Sequence, residues 1–110
     1  MIALVRRVQT RYTEGEFIPP DDVIEEYLMT VIDRLCIRLG CDELPERGES
    51  IAVEATMKAL RLRGYEGSSS EAVSDEGSFS VSFIDDVLSA YSSDIAALRR
   101  MLGSSGVRFL

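Results

Sequence analysis

The segment from Asp22 to Leu39 is the strongest constraint that this sequence places on a fold. Its apolar residues recur at steps of one, three and four along the whole segment. This spacing places them along one side of an α-helix, so we predict an amphipathic helix whose apolar side is buried against other helices. We expect Asp22 to cap its start, with Glu25 completing a capping box, and Gly40 to close its last turn in the left-handed conformation.

Three other segments predict the remaining helices. Ile2 to Tyr12 combines aliphatic and arginine side chains without an internal Gly or Pro, which permits a short helix. Ser50 to Arg63 mixes small and large apolar residues, and Gly64 is expected to end that helix. A last helix is expected with Asp86 as its N-cap, running to about Leu102 and stopped by Gly103.

Before that last helix, apolar and polar residues alternate instead of following the helical spacing of three and four. Phe79, Val81 and Phe83 alternate with serines, which puts the three apolar side chains on one face of a short strand or extended arm. A strand needs a partner, which is either another copy of the chain or a hairpin strand that uses Ala72 and Val73. The expected fold class is mainly α, a small helical bundle with a short strand, β-hairpin or extended loop before the last helix.

The length of 110 residues fits a single domain with one core. We expect residues 1–110 to form one helical domain with a flexible loop at 65–78, which is rich in Ser, Gly and acidic residues. The tail at 103–110 has a polar stem of Ser and Gly and an apolar tip, and we expect a partner to order it.

The charge balance argues against a protein that binds nucleic acid through its backbone. Twelve Lys and Arg against nineteen Asp and Glu give a net charge of −7, which repels phosphates. The segment from Asp21 to Glu54 is mostly acidic, whereas arginines mark both ends of the chain: Arg6, Arg7 and Arg11, then Arg99, Arg100 and Arg108. This asymmetry predicts attraction between neighbouring copies, and an ordinary solvated surface explains the same pattern.

The sequence offers little chemistry for catalysis or metal binding. It has no histidine, and Cys36 and Cys41 lack the spacing of a disulfide framework or a zinc site. We expect reduced structural thiols, no metal, no cofactor and no enzyme activity. Asp85 and Asp86 are interpreted as acids at a helix start. No stretch suits a signal peptide or a membrane span, so we expect synthesis in the cytoplasm.

The region from Ser50 to Leu102 carries a distinctive order of features. It has an alanine-rich helix at 51–60, Arg-Leu-Arg-Gly-Tyr-Glu-Gly at 61–67, a loop of Ser and acidic residues at 68–77, alternating Ser and apolar residues at 78–83, and a helix containing Tyr91. This order resembles the small head–tail connector, or adaptor, proteins of long-tailed bacteriophages. The predicted helix after Asp22 fits the early amphipathic helix of that family.

The resemblance implies a structural subunit rather than an enzyme. It implies a ring of about twelve copies beneath the portal vertex, which extends the DNA channel and receives the stopper or tail protein. Such a subunit is made in the host cytoplasm and ends in the virion neck, where DNA passes without specific binding and no membrane is contacted. The implied portal-binding residues are Arg99, Arg100, Val107, Arg108, Phe109 and Leu110. The implied contacts with neighbouring subunits or the stopper are Gly67, Ser70, Glu76, Phe79, Val81 and Phe83.

Two other interpretations stay open. A small cytoplasmic helical module for protein–protein interaction or regulation needs similar helices but a different partner. A helix-turn-helix regulator needs a basic recognition helix, and the helix at 50–63 offers Lys58, Arg61 and Arg63 in an acidic chain. The identity of the partner separates these interpretations from the connector.

Overall fold

The computed structural model describes residues 1–63 and 81–107, with side chains as far as residue 103 in the last helix. Both parts are helical, and neither contains a β-strand. The helices are α1 (Ile2–Thr10), α2 (Asp21–Leu39), α3 (Glu49–Leu62), α4 (Val81–Ser89) and α5 (Ser92–Val107), with a 3₁₀ turn at Glu46–Gly48. The predicted mainly α bundle is therefore confirmed. None of these helices is long and apolar enough to cross a membrane.

The central element is α2, which contacts the other four helices of the described part. Its side chains Ile24, Leu28, Val31 and Leu35 are fully buried, as the apolar spacing predicts. Burying a side chain of this kind contributes roughly 1.5–3 kcal/mol. The same core also contains Val5, Val8, Ala52, Val53, Ala55, Ala59, Leu60, Ile84, Val87, Leu88, Ile95 and Leu98.

The two ends of α2 differ in how well they match the prediction. The helix begins at Asp21, directly after Pro20, and no side chain caps it. The Pro20 carbonyl accepts the amide of Ile24 at 3.1 Å, so the predicted Asp22 cap and its capping box are wrong. Asp22 lies inside the first turn, where its charge complements the helix dipole. At the other end the prediction is confirmed, because Gly40 is left-handed with a φ of 76°.

The helix α3 lies within one residue of its predicted bounds. It spans Glu49–Leu62, where the sequence predicts Ser50 to Arg63. Ala52, Ala55 and Ala59 are fully buried along it. Their small side chains let the neighbouring helices α1 and α2 approach α3 closely.

The predicted strand is a helix wherever the structure describes it. Val81 is the first residue of α4 and Phe83 lies in its first turn, so placing both on one face of a strand is wrong. Val81 is exposed, whereas the Phe83 ring is half-buried with the Arg63 guanidinium 4.7 Å from its centroid. Phe79, the alternative hairpin and the predicted loop at 65–78 lie outside the described residues.

Burial explains why the helix prevails over the alternating pattern. Ile84, Val87 and Leu88 recur at steps of three and four, and all three are buried where α4 meets α2 and α3. A helix places them on one side, whereas a strand divides them between two faces. Burial of three large side chains outweighs a difference in strand preference of about 1 kcal/mol.

The predicted last helix is divided in two. Asp86 lies inside α4 rather than at an N-cap, and a turn at Ala90 and Tyr91 separates α4 from α5. The helix α5 then continues past Gly103 to Val107, so the predicted stop at Gly103 is wrong. Glycine inside a helix costs about 1 kcal/mol relative to alanine, which the rest of a helix readily offsets.

Candidate partner-binding groove

A groove between α2 and α5 brings apolar and basic side chains together. Its volume is about 630 Å³. The helix α2 contributes Ile37 and Arg38, and α5 contributes Ser92, Ile95, Ala96, Arg99 and Arg100. We call this feature the arginine groove.

The period of α5 determines which of its side chains reach the groove. Ile95 and Leu98 are each 5% exposed and belong to the core. Arg99 and Arg100 follow Leu98 and are exposed. They therefore lie at the border between the buried side of the helix and solvent, beside an apolar floor that includes Ile95.

Arg38 is held against α4 by Asp85. The Arg38 Nη2 donates to the Asp85 backbone carbonyl at 3.3 Å and lies 3.8 Å from the Asp85 Oδ1. The same carboxylate accepts two hydrogen bonds from Arg34, each of 3.2 Å, in a bidentate arrangement. Asp85 thus ties α4 to α2 and orients one wall of the arginine groove, a role that its interpretation as an acid at a helix start missed.

Ile37 is the apolar wall of the groove on α2. It is 63% exposed, because it lies off the stripe of α2 that buries Leu35 and Leu39. Sequence reasoning assigned no role to Ile37 or Arg38. The available signal was an isoleucine outside the apolar stripe of an amphipathic helix, and one such residue alone means little. Its significance comes from the guanidinium groups that the fold places around it.

The arginines of α5 differ electrostatically from most others in the chain. Among the side chains that the structure describes, neither Arg99 nor Arg100 has a carboxylate within 4.0 Å. A guanidinium stays charged throughout the physiological pH range. The result is a positive patch on a chain whose net charge is −7. A complementary partner surface combines acidic groups, which match the arginines, with apolar groups, which match the floor of the groove.

Arg7 and Arg11, at the C-terminal end of α1, belong to the fold instead. Arg7 Nη1 lies 3.3 Å from Glu49 Oε1, and its Nη2 donates to Ser50 Oγ at 3.1 Å. Arg11 Nη1 lies 3.7 Å from Glu54 Oε2. These contacts join α1 to α3, so this half of the charge asymmetry seen in the sequence is largely neutralised inside one chain.

The arginine groove is suited to binding rather than catalysis. Its guanidinium groups cannot accept a proton, and although Ser92 supplies a hydroxyl, the residues around it include no general base. Within residues 1–63 and 81–107, no group of three or more His, Cys, Asp or Glu residues is arranged to hold a metal ion.

The structure brings together only some of the residues that the family resemblance singled out. Of the portal-binding set, Arg99 and Arg100 line the groove, Val107 ends α5, and Arg108, Phe109 and Leu110 lie outside the described residues. Of the second set, Val81 and Phe83 lie on α4, and Gly67, Ser70, Glu76 and Phe79 lie outside the described residues. Comparisons with protein-family models, with curated proteins and with solved structures found no match to this chain.

Proposed function

We propose that this chain is a structural head–tail connector subunit of a long-tailed bacteriophage. In this proposal about twelve copies form a ring in the virion neck, between the portal and the stopper or tail protein. The ring extends the DNA channel and catalyses no reaction. The order of features from Ser50 to Leu102 supports the family, although Tyr91 lies in the turn between α4 and α5 rather than inside a helix. The arginine groove is the structural observation that supports a partner-binding role.

The groove has the composition of a contact for a second protein. Arginine and large apolar side chains are enriched at the centres of protein interfaces, where water is excluded around them. Ile37 supplies exposed apolar area, and Arg99 and Arg100 supply charge that has no partner among the described side chains. We propose that the portal protein presents acidic and apolar side chains to this groove.

The end of α5 supports a joint role for the groove and the apolar tip of the chain. Helix geometry puts Val107 roughly 10 Å beyond Arg100 along the axis, because α5 is continuous to that residue. One partner surface of ordinary size therefore reaches both the groove and the start of the tip at 107–110.

The exposed side of α2 supports a channel through which DNA passes without being held. Exposed acidic residues follow this helix from its start: Asp21, Asp22, Glu25, Glu26 and Asp33. A wall of this charge repels phosphates, so it opposes adhesion of DNA during passage.

The proposal is tested by adding this chain to the portal protein encoded in the same genome. Sedimented particles are examined by negative-stain microscopy, and the expected result is an added ring of stoichiometric subunits. The double substitution Arg99→Glu with Arg100→Glu should weaken attachment by about tenfold or more, because it turns attraction into repulsion at the groove.

A matched control carries the same change of charge elsewhere. Arg6→Glu with Lys58→Glu alters two exposed basic residues that make no ion pair within the described part of the chain. This control should still add a ring to the portal. A wild-type chain that is folded and leaves the portal bare contradicts the connector proposal.

The second candidate is a small helical interaction or regulatory module. The arginine groove favours it as well, because the groove selects an acidic partner surface without specifying a portal. A helix-turn-helix regulator has less support, since Arg61 in the middle helix bonds Glu16 at 3.2 Å and stacks over Tyr12 at 5.2 Å. Two results together identify the interaction module. The chain leaves the portal bare, and it binds another acidic protein in a way that the Arg99→Glu, Arg100→Glu double substitution abolishes.

A further inference from the structure

The end of α2 brings the two cysteines of the chain to one place. Gly40 adopts a left-handed φ of 76°, and its amide donates to the Cys36 carbonyl at 2.8 Å. The Cys41 amide donates to the same carbonyl at 3.1 Å. This pair of bonds closes the last turn of the helix and folds Cys41 back onto Cys36.

A helix end of this kind has a known consequence for side chains. The residue after the left-handed position contacts the residue whose carbonyl it binds, and the contact is commonly between two apolar side chains. Here both positions hold thiols. The Cys41 thiol is close enough to the Cys36 thiol to raise its pKa, and both cysteines are free.

The two thiols differ in their access to solvent. Cys36 is 8% exposed, whereas Cys41 is only half-buried. Both line an open groove of about 730 Å³, whose other walls include Leu44 and Val81. A small thiol-reactive molecule therefore reaches Cys41 first.

We infer that Cys36 and Cys41 form a reactive dithiol that closes into an intramolecular disulfide by exchange with a small-molecule disulfide such as oxidised glutathione. The Cys41 thiolate attacks one sulfur of oxidised glutathione and releases the first glutathione thiolate. The Cys36 thiolate then attacks the Cys41 sulfur and releases the second. Two cysteine sulfurs are oxidised, two glutathione sulfurs are reduced, and the two thiol protons end on the released glutathione.

The backbone geometry favours this closure. A disulfide requires Cα atoms roughly 4.4–6.8 Å apart, and a direct amide-to-carbonyl bond keeps Cys36 and Cys41 close. Burial, followed by the neighbouring Cys41 thiol, raises the pKa of the Cys36 thiol to about 11. Because so little of Cys36 is ionised at neutral pH, it does not make the first attack. Its small thiolate fraction suffices for the second step, because that attack is intramolecular and the Cys41 sulfur is already beside it. The inference is independent of the connector proposal.

The test uses the full chain, oxidised glutathione and intact-mass measurement without reduction. The expected product is a monomer lighter by two hydrogen atoms, with no retained glutathione. Trypsin cuts after Arg34, Arg38 and Arg47, so the bond must link the peptide 35–38 to the peptide 39–47. That linkage in a monomer identifies the bond as intramolecular.

Two single variants separate the roles of the thiols. Cys36→Ser should accumulate a stable mixed disulfide at Cys41, because the second nucleophile is gone. Cys41→Ser should react with oxidised glutathione about tenfold more slowly than Cys36→Ser does, because the thiol that remains in Cys41→Ser, that of Cys36, is buried and protonated. Circular dichroism checks that both variants remain helical. A wild-type chain that retains glutathione at Cys41, stays unreacted, or forms only disulfide-linked dimers overturns the inference.

Discussion

Two arginine clusters look alike in the sequence and differ in the fold. One lies on α1 and the other on α5, and each contains an adjacent pair, Arg6-Arg7 and Arg99-Arg100. Arg7 binds Glu49 on α3, whereas Arg99 and Arg100 have no acidic partner among the described side chains. The same residue type thus joins two helices in one place and remains available to a partner in the other.

The neighbouring helix accounts for the difference. The helix α1 packs on α3, whose acids Glu49 and Glu54 face Arg7 and Arg11. The helix α5 packs on α2 beside a groove whose wall on α2 carries another basic residue, Arg38. Arg99 and Arg100 thus have no carboxylate partner among the described side chains, so their charge is directed to solvent or to a second protein.

The largest expected effect comes from α2, which supports both clusters. Leu28 is fully buried, so Leu28→Ala should lower the free energy of unfolding by about 2–5 kcal/mol, because a cavity remains. Ile37→Ala removes an exposed aliphatic side chain from the same helix and should change stability by no more than about 0.5 kcal/mol. Urea denaturation followed by circular dichroism measures both. Equal losses would contradict the assignment of Ile37 to a partner surface.

Asp85→Ala removes the carboxylate partner of two arginines, Arg34 and Arg38. It removes the bidentate partner of Arg34 and the contact with Arg38. The pair is about one-third exposed, so we expect a loss near 1 kcal/mol by chemical denaturation. Asp86→Ala changes the same charge at an exposed neighbouring position and should cost less than about 0.5 kcal/mol. If both variants lost the same free energy of unfolding, the contact between Arg34 and Asp85 would not contribute to holding α4 against α2.

Charge reversal compares the two clusters directly. Arg7→Glu with Arg11→Glu places acids opposite Glu49 and Glu54, so it should destabilise the chain by roughly 1 kcal/mol. Arg99→Glu with Arg100→Glu should leave the free energy of unfolding within about 0.5 kcal/mol of the wild type, because no internal pair is lost. Denaturation curves recorded at low and high salt test this difference, and salt should reduce the first effect. If the Arg99→Glu, Arg100→Glu variant lost more free energy of unfolding than the Arg7→Glu, Arg11→Glu variant, the α5 arginines would be the ones that stabilise the fold.

Another internally paired arginine, Arg61, shares its carboxylate partner Glu16 with Thr13, and this contact gives the smallest expected effect. Glu16 accepts hydrogen bonds from the Thr13 amide at 2.6 Å and from its hydroxyl at 2.9 Å. These two bonds, aided by Arg61, hold the pKa of Glu16 below its ordinary value of 4.5. A lowered pKa in the folded state stabilises the fold above the unfolded pKa, and this contribution is lost as pH falls through the folded pKa.

To test this role of Glu16, the free energy of unfolding is measured for the wild type and for Glu16→Gln from neutral pH down to about pH 3. The wild type should be more stable at neutral pH, and its advantage should shrink as Glu16 becomes protonated. A difference that stays constant across this range would contradict a role for the ionised carboxylate.

Much of the fold follows from local patterns in the sequence. The apolar spacing of α2 and the stop at Gly40 predict the last residue of that helix, Leu39, and place its start one residue late, at Asp22 instead of Asp21. The alanines of α3 predict a closely packed helix within one residue of its ends. These predictions succeed because an apolar stripe at helical spacing has one stable arrangement, with the stripe buried. The adjacent arginines Arg99 and Arg100 are also visible in the sequence as part of a candidate interface.

Other features depend on contacts between distant parts of the chain. The alternation before α4 indicates a strand, yet burial of Ile84, Val87 and Leu88 on other helices makes the described part helical from Val81 onward. Gly103 resembles a stop, yet α5 continues beyond it. In each case a local preference of about 1 kcal/mol is outweighed by the free energy gained from packing or from extending a helix that has already formed.

The positions of the main helices and the acidic character of the chain were thus contained in the sequence, because period and charge are local properties. Which of the described arginines have an acidic partner was decided only by tertiary structure, since a salt bridge depends on the helix that lies opposite. The contact between Cys36 and Cys41 depends partly on local sequence and partly on tertiary structure. It needs only the left-handed turn at Gly40 that the sequence predicts, but the access of one thiol and the burial of the other depend on the helices packed around them.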